Sequence, residues 1–91
     1  MPRLEWRPAA IADLVSIVDY IADDNPVAAQ ALKDEIEAKV ALLPHAPRFY
    51  RLGRVKGTRE MIVRPNYVLI YAEAAKTITV LRVLHAAQQW P

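Results

Sequence analysis

Apolar positions recur along this chain in two rhythms. From Pro8 onward Ile11, Leu14, Val15, Val18 and Ile21 fall at three- and four-residue steps, which predicts a helix with one apolar stripe. Pro8 suits the first helical turn, where a missing N–H is no loss, and Asp13, Asp19 and Asp23 lie largely off the stripe. Pro26 disfavours a helical Asn25, so this helix ends near Asp24. The same dipeptide opens a second helix. Asn25 caps it, Pro26 takes its first position, and Ala29, Leu32, Ile36, Val40 and Leu43 repeat at helical spacing until Pro44 stops the run. So short a break predicts a near-antiparallel hairpin with one continuous apolar face.

Elsewhere the period is two. Residues 2–6 alternate, with Leu4 and Trp6 on one face, and read as a first strand. Three further β-type runs are predicted near 55–63, 67–73 and 77–84, separated by turns at Pro65-Asn66 and at 74–76. Such short links require antiparallel neighbours. Residues 44–54 form a loop or irregular edge, punctuated by Pro44, Pro47 and Gly53 and anchored by Phe49 and Tyr50. The predicted fold is α+β, in the order β-α-α-β-β-β. A helical hairpin packs on one face of a twisted, mainly antiparallel four-stranded sheet, and residues 1–91 make one domain.

Composition narrows the chemistry. The chain has no cysteine, which excludes disulfides and Cys-based metal sites and suits a reducing cytoplasm. No apolar run resembles a secretory signal or reaches the length of a membrane span. With only Gly53 and Gly57 there is no nucleotide-binding glycine loop, and His45 and His85 lack a flanking ligand pattern. No metal and no cofactor are expected. Charge is unevenly spread. Asp13, Asp19, Asp23, Asp24, Asp34, Glu35 and Glu37 face only Lys33 in their segment, whereas Arg48, Arg51, Arg54, Lys56, Arg59 and Arg64 face only Glu60. The second segment favours an anionic partner, nucleic acid or acidic peptide.

Arg59, Arg64 and Arg82 interrupt apolar strands, where a guanidinium needs water or a partner. The candidates for chemistry are Arg59, Glu60, Arg82 and His85. His85 sits just past the last strand, where an imidazole can transfer protons while arginines hold phosphate. The structural alternative pairs Arg82 with Glu60 or Glu73. Trp90 either folds back on the core or offers an anchor for another protein.

The order and spacing of several pieces carry a resemblance over nearly the whole chain. They are Ala12-Asp13-Leu14, Ile17 and Tyr20-Ile21; Asn25-Pro26 with Ala28-Ala29; the ladder ending at Leu43-Pro44; Gly57-Thr58-Arg59-Glu60; Tyr67-Val68-Leu69-Ile70-Tyr71; Leu81-Arg82-Val83-Leu84-His85; and Gln89-Trp90-Pro91. In these the chain resembles the RelE/ParE superfamily of type II toxin–antitoxin systems, and more narrowly its ParE-like branch. The resemblance implies a cognate ParD-like antitoxin that folds along the toxin and alone contacts operator DNA. The expected antitoxin-facing surface is the apolar hairpin, through Leu14, Val18, Ile21, Leu32 and Ile36. It also implies DNA gyrase as target, with inhibition by binding rather than hydrolysis. The expected target- or partner-binding residues are Arg59, Glu60, Arg82, His85 and Trp90. The alternative is a RelE-like, ribosome-dependent mRNA endoribonuclease using Arg59, Arg82 and His85. Against it, Val68 stands where RelE-like sequences often carry an arginine, and Ala86, Ala87, Gln88 and Gln89 replace their basic tail.

Overall fold

A computed structural model describes residues 2–86 and 88–91. Strand β1 (Arg3–Trp6) leads into helix α1 (Pro8–Ala22) and helix α2 (Pro26–Ala41). A 3-10 turn at Leu43–His45 follows, then β2 (Arg51–Leu52), β3 (Thr58–Arg64), β4 (Tyr67–Ala74) and β5 (Thr77–His85). The helix signals act as read from the sequence. Pro8 and Pro26 occupy the first turns, and the Asn25 side chain accepts from the Ala28 N–H at 3.0 Å.

The sheet is mixed and has five strands, not four, in the order β1-β5-β4-β3-β2. The extra strand is the two-residue β2, which pairs Arg51 with Glu60 and Leu52 with Arg59 inside the stretch read as an irregular edge. Two residues carry no readable alternation, so only pairing with β3 defines them. β1 runs parallel to β5; the other pairs are antiparallel.

The core lies between hairpin and sheet. Ala10, Leu14, Leu32, Ile36, Val40 and Leu43 meet Met61, Val63, Leu69, Tyr71, Ile78, Val80 and Val83. Two irregularities let the sheet supply this face. On β5 the register steps from Ile70 opposite Arg82 to Tyr71 opposite Val80, leaving Leu81 as the extra residue. Strict alternation would put Val80 and Val83 on opposite faces; the bulge turns both inward, at 0% and 1% exposure. On β3, Val63 is the extra residue, and its carbonyl accepts from Lys39 Nζ at 2.8 Å.

The hairpin's stripe divides. Leu32 and Ile36 are fully buried and Leu14 is nearly so, whereas Ile11 and Val15 are about half exposed, at 50% and 52%. One helix can turn only part of a wide apolar arc toward a sheet, and the rest is left at the surface.

Candidate functional site

Each strand arginine has an intramolecular partner. Arg82, on β5, forms a two-pronged pair with Asp13 of α1, Nε to Oδ2 at 2.7 Å and NH2 to Oδ1 at 2.9 Å. The partner is Asp13, neither Glu60 nor Glu73. The carboxylate beside Arg82 raises the guanidinium's already high pKa further. Asp13 Oδ2 also accepts the Val83 N–H at 2.9 Å. β1 ends opposite Val80, so beyond that point β5 has no strand on its β1 side, and the Asp13 side chain takes the donor a longer β1 would have met. Two residues on, the His85 N–H is met by Gln88 Oε1 at 2.8 Å.

Arg59 lies opposite Tyr71 and donates to the Tyr50 carbonyl at 2.7 Å, with a longer bond to that of Arg48. The buried Tyr71 hydroxyl donates to the Pro47 carbonyl at 2.5 Å, and desolvation raises its pKa. Together these groups staple the 47–50 segment to the sheet. Arg64 reaches Glu35 of α2 through Nε and NH2, and Lys39 pairs with the same carboxylate. Hydrogen bonding to Arg64 first, then to Lys39, holds the Glu35 carboxyl below its ordinary pKa. Of the two possibilities open to a strand guanidinium, water or a partner, all three take a partner within the chain. Those of Arg64 and Arg82 come from the helices, and those of Arg59 from the 48–50 stretch that leads into β2.

Glu60, Arg51, Arg54, His85 and Trp90 are brought together. They line a cavity of about 160 Å³ on the face opposite the helices, with Val68, Ile70 and Leu84 behind and Ala86 and Gln88 at its side. That face is therefore not bare, since Ile70 and Leu84 are buried there at 2% and 5%. Glu60 is bound by Arg51 at 2.9 Å. The His85 ring meets Tyr67 edge to face, centroids 5.7 Å apart. Arg51 and Arg54 belong to this cluster but were not among the candidates. Their place in the basic run 48–64 was the available signal. Ala87, one of the tail positions noted for lacking charge, lies outside the described residues. Among the described residues no cluster of histidines and carboxylates could hold a metal, and no helix is long and apolar enough to cross a membrane.

A second concavity, about 510 Å³, runs along the hairpin. Its apolar wall is Trp6, Ile11, Leu14, Val15 and Val18, and its rim carries Asp19, Lys33 and Glu37. Of the residues expected to form a binding surface here, Leu14 and Val18 line it. Leu32 and Ile36 are core, and Ile21 packs against the core further along α1. Ile11 and Val15 take their place.

A helical hairpin on a mixed sheet, with an open apolar groove on the helices and a small polar cavity behind, defines a small α+β protein of the RelE/ParE-like toxin fold. A family model described as "ParE toxin of type II toxin-antitoxin system, parDE" matches residues 4–90. The chain belongs to this family and is a type II toxin. It is 35% identical over 89 residues to the putative toxin Y4kP of Sinorhizobium fredii, covering 98% of this chain and 93% of that one. It is 34% identical over 88 residues to toxin RelE2 of Caulobacter vibrioides, covering 97% and 99%. A solved chromosomal ParDE system from P. aeruginosa superposes with a TM-score of 0.86 at 25% identity, covering 93% of this chain and 96% of that one. A chain of the E. coli DinJ–YafQ complex shares the fold, with a TM-score of 0.68 at 19% identity and 96% of each chain covered.

Proposed function

We propose that this toxin arrests replication by docking on DNA gyrase, without cleaving RNA, and that a ParD-like antitoxin neutralises it. The observation that carries this reading is the commitment of the cations. Phosphoryl-transfer chemistry needs guanidiniums free to stabilise developing charge. Arg82 is paired with Asp13, Arg59 is tethered by backbone carbonyls, and the carboxylate Glu60, itself paired with Arg51, stands in the cavity that His85 and Arg54 line. Of the two arginines in that cavity only Arg54 lacks a carboxylate partner among the described residues, so an anionic transition state would gain less there than from a set of free guanidiniums. The target-facing surface is the rim of that cavity, including Trp90 and Arg51.

The antitoxin segment in this reading is an amphipathic helix laid into the hairpin groove. Its apolar side would cover Ile11 and Val15, and its charged flanks would meet Lys33 and the acids Asp19 and Glu37. Purified toxin should inhibit supercoiling by gyrase, and transcripts in toxin-arrested cells should stay intact. Unaffected gyrase at large toxin excess refutes the target. Transcript cleavage on translating ribosomes that is abolished by His85→Ala would install the endoribonuclease reading instead.

A further inference from the structure

The turn between β2 and β3 is held rigid although it points into solvent. The Gly53 N–H donates to the Thr58 carbonyl at 2.8 Å, and the Thr58 N–H and hydroxyl both reach the Val55 carbonyl, at 3.1 and 2.6 Å. A Cβ on Gly53 would stand 2.2 Å from Thr58 Oγ1 and 3.3 Å from the Thr58 backbone carbon. Thr58 has little freedom to yield, since it is 5% exposed and its hydroxyl is engaged. Gly57 sits at φ 87°, where side chains are disfavoured.

Between these fixed points the exposed residues are Arg54, Val55 and Lys56. Neither Arg54 nor Lys56 has an acidic partner among the described residues, in contrast to Arg48 and Arg51 beside them, which pair with Glu73 and Glu60. Even those two keep 77% and 58% of their side chains in solvent. Ordering a turn costs conformational entropy. Here the ordering presents cations that have no carboxylate partner among the described residues, Arg54 at the edge of the cavity that Glu60 lines and Lys56 beyond it, which lowers the cost of meeting an external polyanion. Arg54 and Lys56 can meet phosphates at any sequence, so contact with nucleic acid through this turn would carry a sequence-independent, salt-dependent term.

We propose that this turn is a docking surface for the phosphate backbone of duplex DNA, with Arg54 and Lys56 as its contacts. The choice of duplex DNA among polyanions rests on the gyrase reading, because that target works on duplex DNA. The test is fluorescence anisotropy of a labelled duplex of arbitrary sequence with the full chain, titrated across salt. The Arg54→Gln/Lys56→Gln double variant should lower the slope of log affinity against log salt by about 1.8, at about 0.9 per phosphate contact, and weaken binding at low salt by roughly tenfold or more. Circular dichroism should show both chains equally folded. Thr58→Val keeps every charge while loosening the turn, and should weaken binding with the slope preserved.

No binding by the unaltered chain, an unchanged slope in the double variant, or unchanged affinity in Thr58→Val overturns the proposal. So does tighter binding of RNA, or of a poly-glutamate peptide of equal charge. A gyrase assay run in parallel separates the two readings. Duplex binding by the unaltered chain that is lost on Arg54→Gln/Lys56→Gln, with gyrase unaffected by the unaltered chain, supports the turn and refutes the target, whereas gyrase inhibition by the unaltered chain without duplex binding refutes the turn alone.

Discussion

Asp13→Ala removes three hydrogen bonds with one side chain, and their different surroundings set the expected cost. Two go to Arg82. Arg82 keeps 34% and Asp13 16% of the side chain in solvent, so screening reduces the pair itself to roughly 1 kcal/mol. The third goes to the N–H of Val83, which is 1% exposed. A buried donor left without an acceptor costs about 1–3 kcal/mol. The total expected for Asp13→Ala is about 2–4 kcal/mol, or roughly 8–30 °C in Tm for a domain this small.

Arg82→Ala should cost only about 1 kcal/mol, because the carboxylate can then turn wholly to Val83 or to water. Asp13→Asn should fall between the two, since it keeps a carbonyl for the N–H. Urea unfolding at neutral pH, with the double variant closing the cycle, measures all three. If Asp13→Ala costs no more than Arg82→Ala, the side chain does not stand in for a strand and the account of this edge is wrong.

Other outcomes follow from the same contacts. Val15→Lys should abolish antitoxin binding while leaving Tm within a few degrees, because Val15 is 52% exposed on the groove; loss of folding in that variant would contradict the assignment. Leu32→Ala, by contrast, should cost about 2–5 kcal/mol through the cavity it leaves, read by the same unfolding assay. Glu35 has a depressed pKa in the folded chain, so its stabilisation is present above the ordinary value of 4.5 and is lost as pH falls through the folded-state value. Glu35→Gln should therefore flatten the acid limb of stability against pH below about 5, and an identical limb in both chains would exclude this carboxylate as a source. Asn25→Ala should cost about 1 kcal/mol by removing the cap on α2, and Asn25→Asp should restore most of it.

The helices and four of the five strands were legible because their signals are local. Pro8, Asn25-Pro26 and Pro44 mark ends within a turn of where the backbone changes, and a period of 3.6 or 2 is visible in a short window. What stayed hidden depends on the facing segment. Bulges at Val63 and Leu81 are properties of a pair of strands, and a two-residue β2 exists only through β3. The same limit explains the arginines. The sequence shows a guanidinium among valines and leucines, but Asp13 lies 69 positions from Arg82 and Glu35 lies 29 from Arg64. The helix stripe was found as a set, yet periodicity alone does not say which members meet the sheet. Leu32 and Ile36 went to the core, and Ile11 and Val15 were left to form the groove.

The margin of β5 past Trp6 has a further consequence. Open strand margins recruit further strands, including those of identical molecules, and this is a common route to fibrous deposits. Here the recruiting donors of Val83 and His85 are already occupied by Asp13 and Gln88. Another molecule would have to evict both before it could register against this margin. Growth of the sheet along this stretch of β5 is thus blocked by the chain's own side chains.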